Sequence, residues 1–258
     1  MADPCRTIRI MGILNLNGDS FYAPSRYGMS VLEDCPDILD IGAVSTRPGA
    51  SDVSEAEEWS RLKPVLRTLG TGQAVSIDTT RSGIVERACD LLGRKILVND
   101  ISAGEDDPAM LPAVGRLGLG YVAMHKRGTP ATMQSLCDYD DVVGEVVDYF
   151  RAFALKAEEH GISDWIVDPG FGFAKTVEQN YQLMEGLESF SVLGRPLLVG
   201  ISRKSFMYKP LGLGPEDVLT ATQVMHLAAL ERGADILRVH DVAAARQTVT
   251  LYRLLHGC

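Results

Sequence analysis

Eight short apolar runs, spread along the chain and separated by stretches of helical periodicity, leave few folds open. They cover residues 9–16, 37–43, 74–79, 96–102, 120–125, 165–168, 196–202 and 236–241. Most are too apolar to alternate, which predicts strands covered on both faces. Between them, residues 54–69 open on a Ser-x-x-Glu start and read as a helix. Residues 140–160 are amphipathic and stop before Gly161. Residues 214–232 carry apolar side chains at three- and four-residue intervals and stop before Gly233. Residues 243–255 read as a last helix. Strand–helix repetition implies a parallel sheet. Eight strands in about 250 residues point to a (β/α)8 TIM barrel. No linker or low-complexity tract divides the chain, so residues 1–258 are expected to form one domain. The first crossover is unusual. Residues 17–28 look like a loop, leaving only 29–35 for a helix where a crossover needs roughly a dozen residues.

A formal net charge of −9 argues against broad nucleic-acid binding. It leaves anionic small substrates open, because a local cluster of Lys and Arg overrides the net sign. The cysteines are Cys5, Cys35, Cys89, Cys137 and Cys258, an odd number without a Cys-x-x-Cys pair. This predicts neither structural zinc nor a disulfide framework, and makes a reducing cytoplasm the default. No apolar stretch suits a signal peptide or a membrane span.

The ends of the runs carry chemistry. The first ends near Asn15 and the second leads into Ser45-Thr46-Arg47-Pro48. The third ends at Asp78, the fourth at Asn99-Asp100, the fifth at Met124-His125 and the sixth at Asp168. The seventh ends at Ser202-Arg203-Lys204 and the eighth at Arg238-Val239-His240. In a barrel these ends converge on one mouth. Asp78, Asn99 and Asp168 are short hydrogen-bonding groups suited to the edge of a flat heterocycle, and Lys204 can donate to a ring carbonyl or nitrogen. Asn15, Thr46, Arg47, Arg238 and His240 are mostly donors and suit an anion. Each has a plainer alternative: Lys204 as a helix cap or solvated, Arg203 likewise, His240 as a buried histidine, Asp241 as an N-cap, Asp100 as a loop anchor. There is no dinucleotide fingerprint, P-loop, paired-histidine zinc motif or nucleophile elbow.

Eight segments taken together resemble bacterial dihydropteroate synthases along nearly the whole chain. They are Met11-Gly-Ile-Leu-Asn15, Asp40-Ile-Gly-Ala-Val-Ser-Thr-Arg-Pro-Gly-Ala50, Ser76-Ile-Asp-Thr79, Val98-Asn-Asp-Ile-Ser102, Met124-His-Lys-Arg-Gly-Thr-Pro-Ala-Thr-Met-Gln134, Asp168-Pro-Gly-Phe-Gly-Phe173, Gly200-Ile-Ser-Arg-Lys-Ser-Phe206 and Leu237-Arg-Val-His-Asp-Val242. The resemblance implies condensation of 6-hydroxymethyl-7,8-dihydropterin diphosphate with 4-aminobenzoate, Mg2+, a homodimer and a sulfonamide target. It implies that Asn15 is associated with the metal. Asp78, Asn99, Asp168 and Lys204 would read the pterin, walled by Ile101, Met124, Phe173 and Gly200. Thr46, Arg47, Arg238 and His240 would face the diphosphate, with Ser205 near the 4-aminobenzoate carboxylate. The loops carrying Asn15 and Arg47 would close over the site. Two departures fall in the first loop. Asn17-Gly18-Asp19-Ser20-Phe21 stands where the family usually has Thr-Pro-Asp-Ser-Phe, and Ala23 stands where an acid is common. An intact pocket with altered first loops is also the signature of a catalytically weak pterin-binding paralogue. A methyltetrahydrofolate-dependent methyltransferase domain would share the pocket but would not need the Ser45–Pro48 loop or the Ser-Arg-Lys segment.

Overall fold

The computed structural model describes residues 3–16, 31–44, 53–129 and 132–258. Eight strands form one sheet: β1 (Arg9–Asn15), β2 (Ile38–Gly42), β3 (Ala74–Asp78), β4 (Leu97–Asp100), β5 (Gly120–Met124), β6 (Trp165–Asp168), β7 (Leu198–Val199) and β8 (Ile236–Val239). All pairings are parallel, in the order β6-β5-β4-β3-β2-β1-β8-β7. The ends of this order meet through a bridge between Val167 and Leu197 and a 3.0 Å bond from the Val167 N–H to the Pro196 carbonyl. The sheet is thus a nearly closed (β/α)8 barrel, with every predicted run on a strand. The helices are α1 (Glu55–Leu66), α2 (Ser82–Leu92), α3 (Met110–Leu117), α4 (Val142–Glu159), α5 (Val177–Glu185), α6 (Ser205–Leu211), α7 (Leu219–Glu231) and α8 (Val242–Leu255). None among the described residues is long and apolar enough to cross a membrane.

The strands separate two cores by their two-residue period. Leu39, Ile41, Ile77, Val98, Tyr121, Ala123, Val167, Val199, Leu237 and Val239 face the helices. Met11, Ile38, Val122, Ile166, Leu198 and Ile236, with Leu97, fill the barrel interior as a separate cluster. That interior layer is apolar and plugs the lower half of the barrel. Its phase decides what lies above it. Two residues further along the same face come Asp40, Asn99, Met124, Asp168, Gly200 and Arg238. On β3, Asp78 follows the fully buried Ser76 in the same phase. One apolar layer therefore hands over to one polar layer at the carboxyl ends of the strands.

Local signals set most helix ends. The Ser54 hydroxyl accepts from the Glu57 N–H, as the predicted start of α1 requires, although the helix stops at Leu66 rather than residue 69. Asp141 caps α4 in the same way. Helix α7 begins at Leu219, five residues later than its periodicity suggests. The carbonyls of Pro215 and Glu216 accept from the Arg203 guanidinium instead of opening a helix. Of the first crossover, residues 31–33 are helical, and 17–30, which include the departures at 17–21 and Ala23, lie outside the described residues.

The expectation from the cysteines fails at one place. Cys5 and Cys258 are joined by a disulfide, while Cys35, Cys89 and Cys137 form none among the described residues. The two cysteines are 253 residues apart in sequence, so no local spacing signals them. Folding brings them together because Arg6 anchors the N-terminal segment beside the ends of α7 and α8. It donates to the Leu230 and Ala234 carbonyls at 2.8 and 2.7 Å and to the Tyr252 hydroxyl at 3.1 Å.

Candidate active site

The polar layer is wired together through Arg238. Its Nε donates to Asp40 at 2.7 Å and its Nη2 to Asp78 at 2.5 Å. The Asn99 amide donates to the same Asp40 oxygen at 3.1 Å. In the barrel register Asp78 lies beside Asn99, and Met124 beside Asp168. Gly200 keeps the far wall low. A side chain there would reach Arg238 and the Asp168 carboxylate within 3.8–3.9 Å. Asp78, Asn99, Asp168 and Arg238 thus share one hollow.

Asp168 ends β6, and one of its oxygens accepts the Gly170 N–H at 2.9 Å. The loop that follows winds through left-handed backbone at Gly170, Gly172 and Ala174. Gly170 tolerates nothing larger, since a Cβ would sit 1.9 Å from the His125 carbonyl oxygen. Lys204 reaches across to this loop. Its ammonium donates to the Phe171 carbonyl and lies 4.9 Å from the centre of the Phe173 ring. Lys204 is also the backbone N-cap residue of α6, whose first residue is Ser205. It is half-buried in the cavity wall rather than solvated.

Burial and mutual charge tune these groups. Burial pushes the Asp78 carboxyl up to about 7; Arg238 opposes this, and Asp40, Asp100 and Glu58 reinforce it. Burial also raises Asp168, against Lys204, the Gly170 N–H, Arg238 and Lys175. Burial lowers Lys204 to about 8, with Asp168 holding it up and Arg238 pushing it down. Burial works against the Arg238 charge, but Asp40 and Asp78 outweigh it and drive its pKa further upward. The hollow therefore holds two carboxylates raised by burial and an ammonium lowered by it.

The remaining described positions fall at the carboxyl ends of the strands or in the loops just beyond them. Asn15 is exposed at the end of β1. The His240 ring places Nδ1 3.0 Å from the Ser202 hydroxyl and is half-buried rather than sealed in the core. Ile101 and Phe173 are partly exposed, and Met124 is buried. Thr46 and Arg47 lie outside the described residues. The loop-anchor reading of Asp100 holds: it accepts from Ser102, Gly104 and the Tyr121 hydroxyl. Arg203 is neither a solvated residue nor a simple cap, and Asp241 does not use its side chain to cap α8. The two form a forked ion pair with both contacts at 2.9 Å.

Three buried residues escaped the sequence reading. Asp40 is fully buried and bonds both Asn99 and Arg238. Its signal was a carboxylate in the middle of a wholly buried strand, which only a cationic partner makes tolerable. Lys175 and Asn180 are 3% and 1% exposed, and both hold the loop after β6. The signal for Lys175 was a lysine closing a Gly-rich loop; Asn180 inside α5 had none.

Known proteins share both the sequence and the fold of this chain. A family profile described as pterin binding enzyme matches residues 11–240. The dihydropteroate synthase of Synechocystis sp. is 40% identical over 252 residues, covering 92% of this chain and 86% of that protein. Among solved structures, the dihydropteroate synthase of Xanthomonas albilineans with 4-aminobenzoic acid superposes with a TM-score of 0.88 at 34% identity, covering 98% of this chain and 94% of that one. The Yersinia pestis enzyme in a sulfonamide drug complex gives a TM-score of 0.90 at 32% identity, covering 99% and 96%.

Proposed function

Because the chain belongs to the pterin binding enzyme family, we propose that it works as a dihydropteroate synthase. It joins 6-hydroxymethyl-7,8-dihydropterin diphosphate to 4-aminobenzoate, giving 7,8-dihydropteroate and diphosphate in folate biosynthesis. The observation that carries this is the single polar layer of Asp78, Asn99 and Asp168, faced by Lys204 and Arg238 above an apolar plug.

The roles follow from donor and acceptor types. Asp168 and Asp78 accept from ring N–H groups, Asn99 both accepts and donates, and Lys204 donates to a ring oxygen or nitrogen. Ile101, Met124, Phe173 and Gly200 shape the flat slot. Arg238 spends Nε and Nη2 on Asp40 and Asp78, which among the described residues leaves Nη1 for the diphosphate beside His240; the family resemblance assigns Thr46 and Arg47 to the same ligand. The carbon–oxygen bond at the pterin methylene breaks as diphosphate departs with the electron pair. The electron-rich ring spreads the positive charge, and the neutral amine of 4-aminobenzoate attacks the methylene and then sheds a proton. No strong base is required. Cationic groups fixed in advance around the leaving group lower the barrier without reorganising. The 4-aminobenzoate carboxylate is placed by Ser205.

Magnesium fits this reading in one form. Among the described residues no three His, Cys, Asp or Glu side chains gather to hold a metal. Asn15 offers one hard oxygen at the open end of β1, which suits an ion held mainly by substrate phosphates and water. Bound there, Mg2+ would neutralise diphosphate charge.

A homodimer is supported by the surface of the last helices. Val224 on α7 and Leu251, Leu254 and Leu255 on α8 are 60–72% exposed. A helix apolar on both its buried and open faces is usually covered. Val224→Glu with Leu251→Glu should turn a dimer into a monomer by light scattering. The three cysteines outside the disulfide fit the cytoplasm, and the Cys5–Cys258 bond pulls the other way.

The test is diphosphate release from purified protein with Mg2+, pterin diphosphate and 4-aminobenzoate, inhibited by a sulfonamide competing with 4-aminobenzoate. Pterin binding without release would instead mark a binding paralogue.

A further inference from the structure

Lys175 is a buried ammonium that the chemistry above leaves unused. Among the described residues no carboxylate bonds it. It donates to the Gly170 carbonyl at 3.0 Å and the Phe173 carbonyl at 3.1 Å, and its Nζ lies 3.0 Å from His125 Nδ1. Its ionisable neighbours are Asp168, Lys204, Arg127, Cys137 and His125. Burial lowers it to about 7, and Asp168 holds it up. A buried cation satisfied only by carbonyls and one imidazole is costly. What it touches tells what it does. Gly170 donates to Asp168, Phe171 receives the Lys204 ammonium, and the Phe173 ring faces that ammonium. From the other side Asn180 accepts the Gly172 N–H at 2.7 Å and donates to the Thr176 carbonyl at 2.6 Å. The loop has left-handed backbone at three positions in five residues, one of them the non-glycine Ala174. Such a loop does not hold itself in place.

We propose that Lys175 is a positioning residue that clamps the loop between Asp168 and Thr176 into the one shape that presents Asp168, the Phe171 carbonyl and the Phe173 ring to Lys204 and to the pterin. It touches neither the substrate nor the reacting atoms. Neutral or charged, the amine keeps at least two N–H groups, enough for the two carbonyls.

The inference rests on the pterin-binding reading, and one set of measurements separates them. Titrate 6-hydroxymethylpterin into the unaltered chain, Lys175→Met and Lys175→Gln, and record melting temperature and backbone amide exchange for each. Failure of the unaltered chain to bind pterin would overturn the functional reading itself. With binding intact there, Lys175→Met is expected to weaken pterin binding about tenfold. It should also speed exchange at Gly170, Gly172 and Phe173 while strand amides stay protected. Lys175→Gln should fall between. Unchanged pterin affinity overturns the clamp, and so does weakened affinity accompanied by loss of protection throughout the barrel. Should neither variant fold, the unaltered chain decides. Those three amides must exchange as slowly as strand amides, and exchange at the rate of open loops overturns the proposal.

Discussion

At the residue scale, the polar layer decides recognition, and the apolar cores carry stability. Asp168→Asn keeps the shape but turns an acceptor into a mixed group. Lys204→Ala removes a donor. Each is expected to weaken pterin binding by about 1–3 kcal/mol while changing the melting temperature little, because neither group sits in the apolar cores. Calorimetric titration beside a thermal melt checks this; a collapse of the melt with affinity retained would make both residues structural. The same groups set a pH profile. Asp78, raised to about 7, must lose its proton to accept, so kcat/KM for the pterin substrate should rise with pH through about 7. Lys204, lowered to about 8, must keep its proton, so the value should fall above about 8. Lys204→Arg, permanently charged, should move the alkaline limb upward. Lys175 titrates lower still but adds little, since its neutral amine can serve both carbonyls.

At the scale of elements, the Arg203–Asp241 pair links three pieces of chain: the loop after β7, residues 215–216 before α7, and the end of β8. The residues on either side of it in the chain are Lys204 and His240. Arg203 adopts φ 57°, a conformation a side chain rarely takes, and the ion pair opposes that strain. Arg203→Leu and Asp241→Asn should each destabilise the fold, and the double variant should cost less than their sum, with a coupling of about 1–3 kcal/mol by urea unfolding. Strict additivity would show that the pair does not act as a unit. This element-scale wiring was not legible beforehand. The Ser-Arg-Lys segment shows two cations side by side, and only the loop geometry decides that the first faces the scaffold and the second the cavity.

At the scale of the whole molecule, the Cys5–Cys258 bond closes nearly the entire chain into a loop. Constraining so long a loop in the unfolded state stabilises by roughly 2–4 kcal/mol. Adding a reductant should lower the melting temperature, and Cys5→Ser should melt at the reduced value with or without it. Pterin binding should stay unchanged, because the bond lies at the opposite end of the barrel from the site. An oxidised and a reduced sample that melt together would show that the Arg6 anchor alone holds the termini.

The sequence by itself determined the strand count, the parallel layering and the chemical kinds at the strand ends. Runs covered on both faces must be continuously apolar, and a polar group ending such a run stands out against it. The period of two even fixes which ends share a face once one is known. What only the tertiary structure decided is partnership across the barrel. Asp40 meets Arg238 at a separation of 198 residues, Lys204 meets the Phe171 carbonyl, and Lys175 meets His125. Such contacts depend on barrel closure and on left-handed loop backbone, and neither leaves a periodic trace in the chain.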